Sequence, residues 1–423
     1  MDSISPSTRN APPSERGTLG PVAPESRIAG VDVVRGFALF TVLLENMYLF
    51  GADSVAWSSA TDRWTFAAMQ FFVESKSWTL FALLFGFGFA LQLERARAGG
   101  FPVLPAYLRR LAVLFALGAA HALLFDGDIL MLFAELGLGL LVVRRLPTRG
   151  LLPLAAALLL VFPLVRLATY ENRPRPTEAR EIQRERARLE RAQRSHVYAV
   201  GSLAEVAADN ASAIPADPLE DVATPESGLA VFAMFLLGVA VGRSGLLRDV
   251  PGQAAAIARV RLWGLGLGFA AMAAKQILAA TAGYAVFRPQ RAGPGVQLAG
   301  DLLFAYGTTA LALGYAAALL LAARTRRGGT ALAPLAGAGR MSLTVYLGQT
   351  LMFSTFFYGY GFGQVFRLGP AAVTGWAVVF FAVQLVACRW WLARFRFGPM
   401  EWVWRSATYL RWQPLRLRSD PGP

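Results

Sequence analysis

The sequence predicts an all-α, polytopic transmembrane bundle of about ten helices. Of its 423 residues, 55% are hydrophobic and only 16% are charged, and the mean hydropathy is +0.44. Soluble domains carry roughly 25% charged residues, so this chain cannot cover its surface with polar groups in water. A helix needs about 20 mostly apolar residues to cross a bilayer, and the chain contains ten such runs.

The runs divide the chain into five segments. Residues 1–26 lack the apolar content of a core and predict a disordered cytoplasmic tail. A charged insertion at 169–227 separates an N-terminal membrane half at 27–168 from a C-terminal half at 228–393, each with five runs. Residues 394–423 follow an arginine and tryptophan belt and predict a cytoplasmic juxtamembrane tail. The ten runs are residues 33–51, 68–92, 106–125, 128–143, 150–168, 228–246, 262–283, 298–322, 341–359 and 370–393.

The placement of positive charge predicts the orientation. Cytoplasmic connections retain Lys and Arg. Of the 41 basic residues, 26 fall on the side of the two termini, against 5 in the short connections of the other side. Both termini are therefore predicted to be cytoplasmic, and the net charge of +14 needs no nucleic acid partner. The insertion is also rich in arginine, but long translocated segments tolerate charge. Residues 177–195 predict a charged helix within an extracytoplasmic cap.

Several site classes are excluded or disfavoured by residue counts and motifs. A single cysteine, Cys388, excludes an intrachain disulfide and a cysteine-clustered zinc or iron–sulfur site. Two histidines leave little for a metal centre, so no metal site is predicted. The glycine-rich stretch 337–342 lacks a preceding strand and a third glycine, which rejects a dinucleotide fingerprint. Four other glycines are interpreted as close-packing positions between helices: Gly86, Gly88, Gly137 and Gly139.

Ionisable side chains in or near the apolar runs are the informative positions, because each costs roughly 2.5–3.5 kcal/mol at the bilayer centre on insertion scales. Asp32 and Arg35 open the first run, three residues apart and hence on one helix face. A structural interpretation is an aspartate at the positive end of the helix dipole and an arginine that extends to the interface. A functional interpretation is a cation held at a cavity mouth for an anionic ligand.

A second group of polar residues is predicted to meet at one membrane level near the outer face: Asn46, Glu74, His121, Asp126 and Asp128. An intramembrane histidine is often only a hydrogen-bonded packing residue. A carboxylate at the same depth can orient the imidazole and stabilise its charged form, as a general base requires. The turn from Asp126 to Asp128 can equally be a tight turn with an N-cap for the next helix.

Four stretches of the chain carry a family resemblance in combination. They are 27–36, which contains Asp-x-x-Arg-Gly, with Asn46; 76–86; 109–130, with His121; and 339–346 with 397–402. Together they resemble the YeiB-like family of bacterial integral membrane proteins. Through the Asp-x-x-Arg-Gly opening, that family is similar to a wider group of membrane-embedded acyltransferases that includes heparan-alpha-glucosaminide N-acetyltransferase.

The resemblance implies a multi-pass protein of the bacterial cell membrane that takes acyl-CoA from the cytoplasm as a co-substrate. No tightly bound cofactor is implied. The acceptor would be a small molecule or glycan with a hydroxyl or amine near the outer face. In the wider group the first helix supplies an asparagine, matched here by Asn46, and a nearby catalytic histidine. No histidine follows Asn46 here, so His121 would take that role.

The leading hypothesis is therefore a transmembrane acyltransferase with assigned roles. His121 would act as the general base, oriented by Asp128 or Glu74, and Asn46 would donate to the developing oxyanion. Guanidinium groups suit the phosphates of acyl-CoA. The side chains predicted to attract those phosphates are Arg35, Arg109 and Arg110.

Two other function classes fit the same residues. A small-molecule transporter or exporter would use the buried polar cluster as a substrate or proton site, and five plus five helices would allow an inverted repeat. A non-catalytic membrane scaffold would tolerate mutation of the cluster. The lipid bilayer is a predicted partner in each case, and the sequence indicates no oligomeric state.

Overall fold

The computed structural model describes residues 28–51, 59–100, 102–171, 178–214, 228–284 and 292–417. These ranges consist of α-helices joined by turns, with an isolated β-bridge between Phe395 and Arg416. The predicted tail of residues 1–26 lies outside the described residues, as do parts of the predicted insertion.

Helix ends carry the local signals that their residue types predict. The Ser59 hydroxyl accepts the Asp62 amide at the start of α2 (3.0 Å), and Ser202 forms a capping box with Glu205 at the start of α8. The helices of the first half and the insertion are α1 (Ala29–Gly51), α2 (Ala60–Phe72), α3 (Lys76–Ala98), α4 (Val103–Ala122), α5 (Leu130–Val143), α6 (Thr148–Glu171), α7 (Glu178–Val200) and α8 (Leu203–Ala213).

Helix ends in the second half also carry residue types that are typical of these positions. Gly283, at φ 69°, ends one helix in the left-handed conformation that glycine adopts without strain, and Pro370 occupies the first turn of another. These helices are α9 (Gly228–Ser244), α10 (Ala254–Ala282), α11 (Pro294–Ala323), α12 (Arg326–Arg340), α13 (Ser342–Phe357), α14 (Pro370–Leu392) and α15 (Pro399–Tyr409).

Six segments of the described chain are long and apolar enough to cross a membrane, and each coincides with one of the predicted runs. The other four predicted runs are also helical, as α1, α5, α9 and α13. The all-α membrane bundle is therefore confirmed, with ten as an approximate count of its membrane helices. The protein is a multi-pass membrane protein. The six segments are Ala60–Ala98, Val103–Ala122, Thr148–Thr169, Ala254–Ala282, Pro294–Ala323 and Pro370–Leu392.

The run predicted as one helix over 68–92 is interrupted in the structure. Helix α2 ends at Phe72 and α3 begins at Lys76, with Ser75 in the left-handed region at φ 65°. A non-glycine residue there costs roughly 1–2 kcal/mol. The cost is offset because the Glu45 carboxylate of α1 accepts the Ser75 amide. A contact between residues 30 positions apart therefore breaks a helix that the local apolar pattern would continue.

Two ends of the bundle are named by the residues they carry. The arginine end is the end that carries Arg35, Arg95, Arg110, Arg340 and Arg405, which lie on α1, α3, α4, α12 and α15. The far end is defined by the turn from Phe125 to Asp128 together with Tyr198 and Tyr358.

Helix α3 packs against α9 at Gly86, where a Cβ would collide with the Phe235 carbonyl. Gly137 and Gly139 also lie against neighbouring side chains. A Cβ at Gly137 would lie 2.8 Å from the Leu111 side chain, and a Cβ at Gly139 would lie 2.9 Å from the Phe232 ring. The packing interpretation is confirmed for these three glycines. It is wrong for Gly88, which has no neighbour within 4 Å of a built Cβ and lines a cavity.

The described part of the insertion packs on the far end. Its charged helix, expected over 177–195, is present as α7. Tyr198 of α7 stacks on Tyr358, with ring centroids 4.8 Å apart, and its carbonyl accepts the Gly359 amide. Asn210 of α8 donates to the carbonyl of Leu123 at 3.1 Å. These contacts fasten the insertion beside the turn that follows α4.

Candidate active site

A cavity of about 330 Å³ lies at the arginine end, with side chains of α1, α3, α4, α13 and α15 in its wall. Its deeper wall is apolar and includes Leu84, Leu114 and Phe133. The volume lies at the lower end of the roughly 300–1,000 Å³ typical of ligand pockets. The cavity therefore combines a basic mouth with an apolar interior.

Positive charge exceeds negative charge in the cavity wall. Its described residues include the five arginines of the arginine end but only two carboxylates, Asp32 and Glu401. Asp32 pairs with Arg35 at 2.8 Å, as the spacing in the sequence predicts. Glu401 accepts the amide of Leu343 at 2.5 Å and the hydroxyl of Thr344 at 2.6 Å, which caps the start of α13. The excess of arginines over carboxylates in the wall favours an anionic ligand.

Arg110 of α4 is half-buried and contacts residues of α3 and α15. Its Nη1 donates to Gln92 at 3.1 Å, and its guanidinium lies 4.6 Å from the ring centre of Trp404. Its Nε is buried and has no hydrogen-bond partner among the described residues. Leaving a buried donor of a charged group unsatisfied is costly. A phosphate or carboxylate in the cavity would supply the missing acceptor.

Arg109, also predicted to bind phosphate, lies in a different place from Arg110. Successive residues of a helix are about 100° apart around its axis, so the two side chains leave α4 in different directions. The Arg109 Nε donates to the Thr408 carbonyl of α15 at 2.9 Å, and Arg109 is not among the residues that line the cavity. Of the three predicted phosphate ligands, the structure places Arg35 and Arg110 in the cavity.

His121 and Asp128, predicted to act together, are in direct contact near the far end. The His121 Nδ1 lies 2.6 Å from Asp128 Oδ1, and the two side chains are only 2% and 3% exposed. The second carboxylate oxygen accepts the Met131 amide at 2.8 Å. Asp128 thus accepts an amide in the first turn of α5 and contacts His121 at once, so the turn role and the contact with His121 are compatible.

A glycine makes this contact possible. Gly118 lies on α4 one turn before His121. A Cβ at Gly118 would lie 2.8 Å from the Asp128 carboxylate and 2.7 Å from the Met131 nitrogen. The absence of a side chain lets the start of α5 approach α4 closely enough for the His121–Asp128 hydrogen bond.

Thr350 completes the surroundings of His121 and was not predicted. Its Oγ1 lies 2.6 Å from the His121 Nε2, and Thr350 is fully buried on α13. The two residues are 229 positions apart. A threonine inside an apolar run gives no signal of its own, although Thr350 follows Tyr346 by one helical turn and thus shares its face.

Tyr346 lies between the cavity and His121. It lines the cavity, and its ring centre is 4.9 Å from that of His121. The Tyr346 hydroxyl is buried and makes no hydrogen bond of normal geometry among the described residues, with the Ile129 backbone as a close neighbour. The cavity thus ends one side chain short of the His121–Asp128 pair.

Two other predicted site residues lie apart from this pair. Glu74 binds Lys275 of α10, with Oε2 and Nζ 2.7 Å apart, so Asp128 is the carboxylate that orients His121. Asn46 is buried on α1. The contacts of the His121 ring nitrogens go to Asp128 and Thr350 rather than to Asn46.

Comparison with known proteins places the chain in a family. A family model described as a protein of unknown function (DUF418) matches residues 241–411. Protein YxaH of Bacillus subtilis (strain 168) is 32% identical over an alignment 425 residues long. The alignment covers 95% of this chain and 99% of YxaH. YeiB of Escherichia coli (strain K12) is 30% identical, over 89% of this chain and 95% of YeiB. Both relatives are described as uncharacterised proteins, and no solved structure matches the chain. Because similarity at this level extends along nearly the whole length, the chain belongs to the YeiB-like family of membrane proteins.

Proposed function

We propose that the protein is a membrane-embedded acyltransferase. It takes an acyl group from acyl-CoA at the arginine end, which faces the cytoplasm of a bacterial cell, and passes it to a hydroxyl or amine near the far end. The observation that carries the proposal is the cavity with arginines at its mouth and the His121–Asp128 pair just beyond Tyr346 at its inner end.

The cavity suits the polar and apolar parts of an acyl-CoA. Arginine binds phosphate through several donors of a planar fork, and Arg110 has a donor to spare. Phosphates held by Arg35 and Arg110 would leave the apolar interior to the pantetheine arm and the acyl group. The thioester would then point toward Tyr346.

His121 supplies the proton transfer. In a single-step transfer, the acceptor hydroxyl or amine gives its proton to the imidazole as its oxygen or nitrogen attacks the thioester carbon. The carbon–sulfur bond breaks, and the departing thiolate takes the proton from the imidazolium. Asp128 orients the ring and stabilises its positive charge. Asn46 stays a predicted donor to the oxyanion.

The test uses the purified protein in phospholipid nanodiscs with acetyl-CoA labelled in the acetyl group and an extract of bacterial membrane glycans and lipids as acceptors. His121→Ala should lower transfer by about 10²- to 10⁴-fold, the usual contribution of a general base, and leave CoA binding by calorimetry unchanged. His196→Ala is the matched control, because His196 is exposed on α7. Equal transfer by the wild type and the His121 variant would refute the role of His121.

A transporter is the second candidate, favoured by the interrupted helix α2–α3. Transporters often bind substrates and coupling ions where a membrane helix is broken. Here the break holds Glu74, bound to Lys275, and the fully buried Lys76. Uptake or export by proteoliposomes without acyl-CoA that depends on a proton gradient and is lost in Glu74→Gln would favour this function.

A further inference from the structure

Asp128, His121 and Thr350 form a linear hydrogen-bonded chain. The Asp128 carboxylate accepts the Met131 amide through one oxygen and faces His121 Nδ1 with the other. A carboxylate can only accept, so Nδ1 carries the proton. In the neutral imidazole, the His121 Nε2 is then the acceptor, and the Thr350 hydroxyl is the donor. This connectivity is the one by which a histidine activates a hydroxyl nucleophile.

The direction of the Thr350 hydroxyl is unusual for a threonine in a helix. Helical threonines commonly donate to the carbonyl four residues earlier, as Thr79, Thr309 and Thr355 do here, at 2.5, 2.9 and 2.7 Å. The Thr350 hydroxyl instead contacts His121 on another helix. The Thr350 hydroxyl therefore bonds to the imidazole rather than to the backbone of its own helix.

We propose that Thr350 is the nucleophile of a two-step acyl transfer and carries the acyl group as an ester. The proposal rests on the acyltransferase function above. In the first step the Thr350 oxygen attacks the thioester carbon and gives its proton to His121 Nε2. The carbon–sulfur bond breaks, and the thiolate leaves as CoA with that proton.

In the second step the acceptor hydroxyl or amine gives its proton to His121 and attacks the ester carbon. The bond between that carbon and the Thr350 oxygen breaks, and this oxygen takes the proton back. No oxidant or further reactant is needed. The ester lets CoA leave at the arginine end before the acceptor arrives from the far end, so the two substrates never need to share the cavity.

Tyr346 controls access to Thr350 in this scheme. It precedes Thr350 by one turn on α13 and separates the cavity from His121. Its hydroxyl forms no hydrogen bond of normal geometry among the described residues, so rotation of the ring breaks no such bond. A rotated Tyr346 would join the cavity to the Thr350 oxygen, and the observed position shields the ester from water.

Isotope exchange without any acceptor tests the ester intermediate. Wild-type protein in nanodiscs receives acetyl-CoA and labelled free CoA, and transfer of label into acetyl-CoA is followed. A covalent intermediate allows this exchange, whereas direct transfer to an acceptor does not. In parallel, protein treated with acetyl-labelled acetyl-CoA is digested, and the peptide with Thr350 is analysed by mass spectrometry for an added acetyl group.

Thr350→Val should lower exchange by at least about 10³-fold, the scale seen when a nucleophile is removed, and should abolish the acetylated peptide. Thr350→Ser keeps the hydroxyl and should retain both signals. Thr355→Val is the matched control, since Thr355 is exposed on the same helix. CoA binding by calorimetry and the melting temperature verify that each variant is folded.

The outcomes separate this proposal from the acyltransferase function. If the wild type releases CoA thiol from acetyl-CoA faster than His121→Ala does, yet neither exchanges CoA nor becomes acetylated, transfer is direct and the Thr350 proposal is overturned alone. Full exchange by Thr350→Val overturns it as well. If the wild type neither binds CoA nor releases thiol, both the Thr350 proposal and the acyltransferase function fail.

Discussion

Two regions of this membrane bundle contain several charged side chains, and they differ in whether those charges form ion pairs. Near the break of α2–α3, two ion pairs form: Glu74 binds Lys275 at 2.7 Å, and Arg166 binds Asp301 at 2.9 Å. At the arginine end, five arginines line a cavity whose two described carboxylates are already engaged.

The difference separates charges that are paired within the bundle from charges that border a cavity. A buried ion pair whose partner is removed leaves a charge in a medium that solvates it poorly, so its members depend on each other. An arginine beside a cavity depends on water or a ligand instead. Mutation of a paired charge should therefore lower the stability of the protein, and mutation of a cavity arginine should lower ligand affinity.

The largest effect is expected in the paired region. Lys275→Met leaves the Glu74 carboxylate without its partner and should lower the free energy of unfolding by about 3 kcal/mol. The double variant Glu74→Gln with Lys275→Met should recover most of the loss, because neither charge then remains. Thermal unfolding followed by tryptophan fluorescence in detergent measures both. A loss in the double variant as large as in the single variant would contradict the assignment.

Arg110→Met should affect ligand binding and leave stability nearly unchanged. Stability should change by less than about 1 kcal/mol, because no charged partner is stranded, whereas the affinity for CoA should fall about 10- to 100-fold with the loss of a charge-assisted hydrogen bond. Arg259→Met is the control, since Arg259 is exposed on α10 and does not line the cavity. Calorimetric titration with CoA checks the affinity, and equal affinities of the two variants would argue against an anion site.

Two glycines of α3 mark the boundary between packed protein and cavity. Gly86→Ala places a methyl group against the Phe235 carbonyl and should cost about 1–3 kcal/mol, as overpacking does. Gly88→Ala meets no atom within 4 Å and should be neutral or slightly stabilising. Melting temperatures of the two variants give the comparison. A larger loss for Gly88→Ala than for Gly86→Ala would mean that the cavity is filled.

The smallest effect concerns Glu401, a cavity carboxylate outside the membrane-spanning helices. Burial raises the pKa of Glu401, and the hydrogen bonds from Thr344 and Leu343 offset this only in part. Because the folded chain binds the proton more tightly than the unfolded chain, this contribution to stability is present below about pH 4.5 and is lost as the pH rises through the folded pKa. The melting temperature should therefore decline slightly over that range, and Glu401→Gln should remove the decline.

The sequence predicted those parts of the site that are set by local spacing. Asp32 and Arg35 are three residues apart on one helix and form the expected pair. His121 and Asp128 are seven residues apart across a turn between two helices, so the chain returns the carboxylate to the imidazole. The apolar runs predicted the membrane helices for the same reason, since each depends only on its own composition.

The parts that were not predicted depend on contacts between distant segments. Thr350 meets His121 across 229 residues, and Lys275 meets Glu74 across 201. The break before Lys76 depends on a contact between Ser75 and Glu45, and the local pattern of apolar residues contains no information about that contact. Arg109 and Arg110 are adjacent residues of the same type, and only the packing of α4 determines which of them lines the cavity.

The cap that Glu401 provides for α13 bears on how the protein is made. Helix α13 carries Tyr346 and Thr350, and its first amides are held by a carboxylate from α15, 57 to 58 residues later in the chain. During synthesis, α13 is translated before Glu401. The first amides of α13 therefore gain this acceptor only after residues 399–409 have emerged from the ribosome. A chain arrested before that point carries Tyr346 and Thr350 on a helix whose start lacks its cap.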